Sequence, residues 1–520
     1  MDDTDEGTRI AGIEIANLTR IITLRAKRNR QDEEAQQRAR LALGFYHLNK
    51  APSFPQIVID EASLTGLQFT HSRNNDRTSC RYLPNEIYEA IIAEVLEFEY
   101  LVRQRTLVAL SASSKRLQSL TEPHLYKRPR GAHKLERQWR FMFSLVLEPQ
   151  RGHLVQSLEF GWLPRPDNSN LLIDILHACP NVRDLQIQRG SGLSDIGLVT
   201  SEDVAHMATI FAASPQVTHF WYATFTEWQP EEDLYGDERG RIHQMCAVDD
   251  RFAKFAAQLQ ELALHGQSQW LARALLHHSS PALKSLTLGQ DIDFNFRPQL
   301  LSSLSLRSPH LETLEIRCTI DTYEDLVEPC QVWSKSLRSL RVDDIESSDG
   351  RVGDVIKTLE ALESLHLGYA LDLTRRDLEA ITQSLPKQRF KSITLYDTEV
   401  DFLPTPQMEA EWVDRTISSL LLAHSSTLTE LHLAPRSIKL GKPTILSFKQ
   451  MANLENLDVT FSSDVTAEDV DALLESCPKL HSVPKQVQEL SSQSEKWKER
   501  SVAKEREFDE EFAKLPPSLG

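Results

Sequence analysis

From residue 155 to about residue 480 one short apolar pattern keeps returning: leucine or a close substitute, two other residues, leucine, one residue, leucine. Copies begin at Val155, Val182, Val217, Leu259, Leu283, Leu311, Leu337, Leu362, Phe390, Leu428 and Leu454, with a frayed twelfth at Leu480. Their successive spacings are 27, 35, 42, 24, 28, 26, 25, 28, 38, 26 and 26 residues, a short period interrupted by three insertions. Inside each copy the apolar and polar positions alternate, as in a strand with one buried face.

Between copies the period becomes helical. Thr200, Thr322, Thr374 and Thr466 each stand three residues before an aspartate and open an apolar run, as capping boxes do. Proline marks the other end in Cys179-Pro180, Ser214-Pro215, Ser280-Pro281, Ser308-Pro309, Leu385-Pro386 and Cys477-Pro478, because proline cannot continue a helix. The unit is helix, stop, strand. Three buried strand anchors contribute roughly 5 to 9 kcal/mol, whereas ordering a repeat of about 28 residues costs on the order of 30 to 60 kcal/mol. One unit alone cannot fold, so the units must stack. The expected fold is an α/β solenoid over residues 150–484: a horseshoe with a parallel inner sheet and outer helices. The pattern resembles the helical type of leucine-rich repeat found in intracellular substrate-binding proteins, and Cys179-Pro180 and Cys477-Pro478 match its junction literally.

Ahead of the repeats, residues 81–128 read as three short amphipathic helices. Pro84 suits a first helical turn, and Ile87, Ile91, Val95 and Leu96 follow on one face. About 45 residues make a small core that leans on a neighbour. The Leu83-Pro84-x-Glu86-Ile87 opening, the Ile87/Ile91 pair, Leu107-x-x-Leu110-Ser111, Lys115-Arg116-Leu117 and the closing Pro123-x-Leu125-Tyr126 together resemble an F-box. That resemblance covers the helices and the repeats, about 400 of the 520 residues. It implies that the helices dock an adaptor of a cullin-RING ubiquitin ligase through Leu83, Pro84, Ile87, Ile91, Leu107, Leu110 and Leu117, and that the repeats hold a protein substrate. Where many F-boxes carry a tryptophan in the third helix, this chain has Leu117 and Leu120.

The charge is concentrated. Of a net −17, residues 131–480 carry 50 acidic against 32 basic side chains. Such a surface repels phosphate backbones and anionic lipid and attracts basic protein patches, so a protein partner, and neither nucleic acid nor a membrane, is expected. No apolar run is long enough to span a bilayer and no export signal opens the chain, which points to the cytoplasm or nucleus. The six cysteines have no C-x-x-C spacing, so neither a disulfide framework nor a zinc module is expected, and no cofactor is implied.

Residues 1–49 read as a charged helical extension, 50–80 as a linker and 485–520 as a charged helix capping the last repeat. The longest spacing holds an acidic insertion from Glu231 to Glu238. Nucleophile, dinucleotide and zinc-protease motifs are absent. Gly441-Lys442-Pro443-Thr444 fails as a phosphate loop, since Arg436 stands where glycine is needed and Pro443 intervenes. His277-His278 reads as a helix end. A receptor working by proximity needs no catalytic residue of its own. Binding residues are then expected on the sheet's open face, between the leucines: Trp221, Glu315, Arg317, Arg341, Asp343, His366, Tyr396, His432 and Asp458, with tryptophan, tyrosine and arginine the strongest contributors to an interface. A repeat scaffold unconnected with any ligase is the competing expectation.

Overall fold

A computed structural model describes residues 85–98, 100–129, 135–162, 166–189, 200–224, 244–266, 269–289, 299–320, 324–345, 351–368, 390–396, 406–434 and 439–483, with single positions at 379, 382, 489 and 491. The expected N-terminal extension, the linker, Leu83, Pro84, the acidic insertion and nearly all of the expected C-terminal helix lie outside these residues. The chain divides into two compact units between Val182 and Arg183.

The first unit begins with three helices, α1 (Asn85–Leu96), α2 (Tyr100–Ser113) and α3 (Lys115–Lys127). Ser114 caps α3 by accepting the Leu117 amide at 3.2 Å. Ile92, Val95 and Leu107 form the buried centre, with Leu96, Leu110, Leu120 and Leu125 packed against it. A fourth helix that the sequence pattern did not suggest, α4 (Leu135–Leu147), and a 3-10 turn (Pro149–Leu154) lead into β1 (Ser157–Trp162) and α5 (Pro166–Ala178). The three helices are tied to this first repeat. Arg151 bonds Glu122 at 2.6 Å and lies 5.1 Å over the Tyr126 ring, and the Gln156 amide donates to the Lys127 carbonyl at 2.9 Å.

In the second unit ten strands pair in parallel and in chain order: β2 (Asp184–Arg189), β3 (His219–Thr224), β4 (Glu261–His265), β5 (Ser285–Leu288), β6 (Thr313–Ile320), β7 (Ser339–Ile345), β8 (Ser364–Leu367), β9 (Ser392–Tyr396), β10 (Glu430–Ala434) and β11 (Asn456–Val459). The helices between them are α6 (Ser201–Ala212), α7 (Asp250–Gln258), α8 (Gln269–His277), α9 (Gln299–Arg307), α10 (Glu324–Val332), α11 (Val352–Thr358), α12 (Pro406–Ala423), α13 (Lys442–Phe448) and α14 (Ala467–Ser476). Register places like on like. Leu262, Leu286, Leu314, Leu340, Leu365, Ile393, Leu431 and Leu457 form one continuous row, and all are buried. The twelfth copy shrinks to an isolated bridge from Asn456 to Ser482, with Leu480 still buried.

Local signals explain the helices. Both members of the capping box are made at Thr200/Asp203 and Thr466/Asp469; the boxes at Thr322 and Thr374 lie outside the described residues. Aromatic packing fills the layer between β3 and its helices, where Phe211 stacks on Phe255 at 3.9 Å and meets Phe220 and Phe252 edge-on.

At two of these prolines the preceding serine does more than end a helix. Ser280 Oγ donates to the Ala257 carbonyl, Ser308 Oγ to the Ser280 carbonyl, and Trp333 Nε1 to the Ser308 carbonyl, each at 2.8 Å. Cys477 Sγ reaches the Phe448 carbonyl in the same way at 3.3 Å. Left unpaired in the interior, the Ser308 and Phe448 carbonyls would carry a desolvation cost, which Trp333 and Cys477 of the following repeat remove.

Candidate interaction surfaces

The helices of the first unit are too few to cover all their apolar side chains. Ile87 and Ile91, one turn apart on α1, are 45% and 39% exposed. Phe98, Val102 and Val108 are also on the surface. Leu110 and Leu117 are half-buried, whereas Leu107 is completely buried beside Ile92 and Val95. Leu107 is therefore corrected from a docking residue to a core residue. The reason is helical geometry, which turns Leu107 and Val108 to different faces, so that burying the first exposes the second. Adjacent apolar residues in α2 were the available signal for Val102 and Val108.

On the sheet of the second unit, leucines face the helices and the intervening residues form three rows on the open side. The middle row runs Gln186, Trp221, Ala263, Thr287, Glu315, Arg341, His366, Thr394, His432 and Asp458 in unbroken register. Trp221, Glu315, Arg341, His366, His432 and Asp458 are thus brought into one line. Arg317 and Asp343 stand two residues further along β6 and β7. Tyr396 pairs with Ala434 at the end of β9. The row before it holds Ser285, Thr313, Ser339, Ser364 and Ser392 side by side. This hydroxyl row was legible as a serine or threonine ahead of the second leucine in five successive copies, and sequence reasoning passed over it.

The charged residues of this face are mostly engaged with one another. Arg317 bonds Glu315 at 2.8 Å along its own strand, and Arg341 grips Asp343 through Nε and a second guanidinium nitrogen at 2.8 and 3.0 Å. His366 Nε2 lies 3.1 Å from the same Asp343 carboxylate. Burial pushes the Asp343 carboxyl up, but the hydrogen bonds from His366 and Arg341 outweigh it and hold its pKa below the usual carboxylate range. With its side chain 8% exposed, Asp343 is corrected from a partner contact to the brace that positions Arg341 and His366. Two further cross-strand pairs, His219–Glu261 at 3.7 Å and His432–Asp458 at 3.8 Å, repeat the histidine–carboxylate theme. The His265 ring sits 5.6 Å from Trp221 over Gly289, where an added Cβ would lie 2.1 Å from the imidazole Nδ1. Burial lowers the His265 pKa, and the nearby Arg317 lowers it further.

Below this face, Arg189 pairs with the capping carboxylate of Asp203 at 3.2 Å, both buried. At Gly441 the groups a phosphate would need are occupied: its amide and the Thr444 hydroxyl both donate to Asp414, at 2.9 and 2.6 Å. His277 is the last residue of α8, as expected of a helix end. Cys179, Cys246 and Cys330 are buried thiols whose pKa values burial pushes up to about 12. Among the described residues no group of three His, Cys, Asp or Glu is placed to hold a metal ion, and no helix is long and apolar enough to cross a membrane.

The fold class is thus a repeat-built α/β solenoid with a helical segment before it. No family model matches the chain, and no curated protein matches it. Among solved structures it is similar to a chain in the crystal structure of the Rad7 and Elc1 complex in yeast, with 15% identity and a TM-score of 0.41 over 77% of this chain and 89% of that one.

Proposed function

We propose that the protein is a substrate-receptor subunit of a cullin-RING ubiquitin ligase, whose N-terminal helices dock the ligase adaptor and whose sheet face holds a protein substrate. One observation carries the reading: a three-helix segment with F-box-like sequence keeps Ile87, Ile91, Phe98, Val102 and Val108 outside a core it could have enlarged with them. Exposed aliphatic side chains on so small a helical segment gain stability when a partner covers them. The repeat face supplies the other half, a row of polar and aromatic side chains on strands that pair with their neighbours in parallel. Catalysis then belongs to other subunits, and this chain contributes proximity.

The test is affinity purification of the full chain from cells, followed by mass spectrometry, with Ile87→Asp/Ile91→Asp as the variant. The adaptor and cullin are expected with the wild type and not with the variant. A wild type that captures neither adaptor nor cullin favours a scaffold unconnected with ubiquitin transfer.

A further inference from the structure

The open face of β3 to β6 has a shape and a charge that single out one kind of guest. Six carboxylates stand on the open side of the second unit's strands: Asp184, Glu261, Glu315, Asp343, Glu430 and Asp458. The arginines among the described positions of that side are Arg317 and Arg341, and each is bonded to a carboxylate of its own strand. With histidines neutral the face is therefore net negative.

Relief adds to charge. In the middle row, Ala263 and Thr287 separate Trp221 from Glu315, while Ser285 stands beside Glu261 in the row before. Neighbouring strands are about 4.8 Å apart, so two successive strands with small side chains leave a low strip about 10 Å wide. Trp221, with the His265 ring 5.6 Å away, borders it on one side and Glu315, bonded to Arg317, on the other, with the half-exposed Glu261 carboxylate at its edge. A tryptophan face attracts a cation, most strongly a guanidinium, and the Glu261 carboxylate on the next strand adds to that attraction.

We infer that this strip binds a basic protein segment, with one arginine or lysine side chain seated on Trp221 beside Glu261 and the segment running on toward Glu315. The inference rests on the reading of the sheet face as the partner-binding surface and names the chemistry of that partner. A nucleic acid is disfavoured on the same ground, because its phosphates would meet carboxylates.

The experiment uses the full chain alone and a fluorescein-labelled nine-residue arginine peptide, with a glutamate nonapeptide as control, followed by anisotropy in 100 mM salt. Glu261→Gln/Glu315→Gln and Trp221→Ala are each expected to weaken the arginine peptide by about tenfold or more, and Ala263→Arg, which plants a cation in the strip, by as much. Glu328→Gln/Glu468→Gln, which neutralises exposed helix carboxylates elsewhere, should change it by less than about twofold. Circular dichroism checks that each variant is folded, and Ala263→Lys and Trp221→Phe replace any that is not. Equal binding by the strip variants and the wild type, an equal loss from the helix variant, or preference for the glutamate peptide would each overturn the inference. Because no adaptor is present, the outcome is independent of ligase assembly: an Ile87→Asp/Ile91→Asp chain that loses the adaptor should still bind the arginine peptide.

Discussion

Asp343 on β7 and His366 on β8 face each other across adjacent strands, with carboxylate and imidazole 3.1 Å apart, and Arg341 holds the same carboxylate from its own strand. Gly368 lies against this pair. A Cβ there would sit 3.2 Å from the Asp343 backbone, tighter than the packing tolerates without a shift. The triad shows how the open face is organised: its cations are held in place before any partner arrives.

Replacing Asp343 with Asn tests that brace. The folded-state pKa of Asp343 is depressed, so its contribution is present above the unfolded carboxylate pKa and is lost as pH falls through the folded value. Asp343→Asn should cost about 1 to 3 kcal/mol at pH 7 and progressively less below pH of about 4, where the wild type loses the same interaction. Urea unfolding at the two pH values measures the difference.

The buried Arg189–Asp203 pair predicts a second asymmetry. Asp203→Ala removes one half of the capping box and the carboxylate that balances the buried Arg189 guanidinium, for a loss of about 3 to 5 kcal/mol. Arg189→Met/Asp203→Leu leaves no buried charge and should recover much of that loss. Thermal unfolding of the two variants beside the wild type decides it.

Core and surface separate in the first unit. Leu107→Ala opens a cavity beside Ile92 and Val95 and should cost about 2 to 5 kcal/mol. Ile87→Ala, at 45% exposure, should stay within about 0.5 kcal/mol in stability. Hydrogen exchange over α1 to α3 would show fast exchange in the first variant alone.

Two glycines differ in what they permit. Gly266 has φ of +67°, and a Cβ there would lie 2.2 Å from the Thr224 carbonyl oxygen, so Gly266→Ala should destabilise by more than about 1 kcal/mol. At Gly289, where φ is not positive, an added Cβ would meet the His265 imidazole and come within 3.0 Å of the His265 Cα, so ring and backbone would both have to shift. Gly289→Ala should therefore lower the melting temperature and move the His265 ring resonances in an NMR spectrum.

Much of this architecture was written in the spacing of the leucines. Eleven of the twelve copies from Val155 onward became strands, because an alternating row with one apolar face has few other ways to be buried once its neighbours repeat it. Thr200 and Thr466 were equally legible, since a cap needs only its own turn and the residue three places on. The fourth helix, Leu135–Leu147, fell between recognised motifs and had no repeat to announce it.

Chain order by itself thus determined the period, the strand and helix alternation, the sign of the charge and which side chains would share the open face, because these depend on contacts within one repeat or on identical contacts from repeat to repeat. Only the tertiary structure decided which of those side chains remain available to a partner. Asp343 is consumed by Arg341 and His366, Leu107 is drawn into a core while Val108 is left outside, and His265 is laid beside Trp221 over Gly289. Each of these outcomes depends on which residues from distant parts of the chain come within a few ångströms of one another, and neither propensity nor periodicity along the chain encodes that.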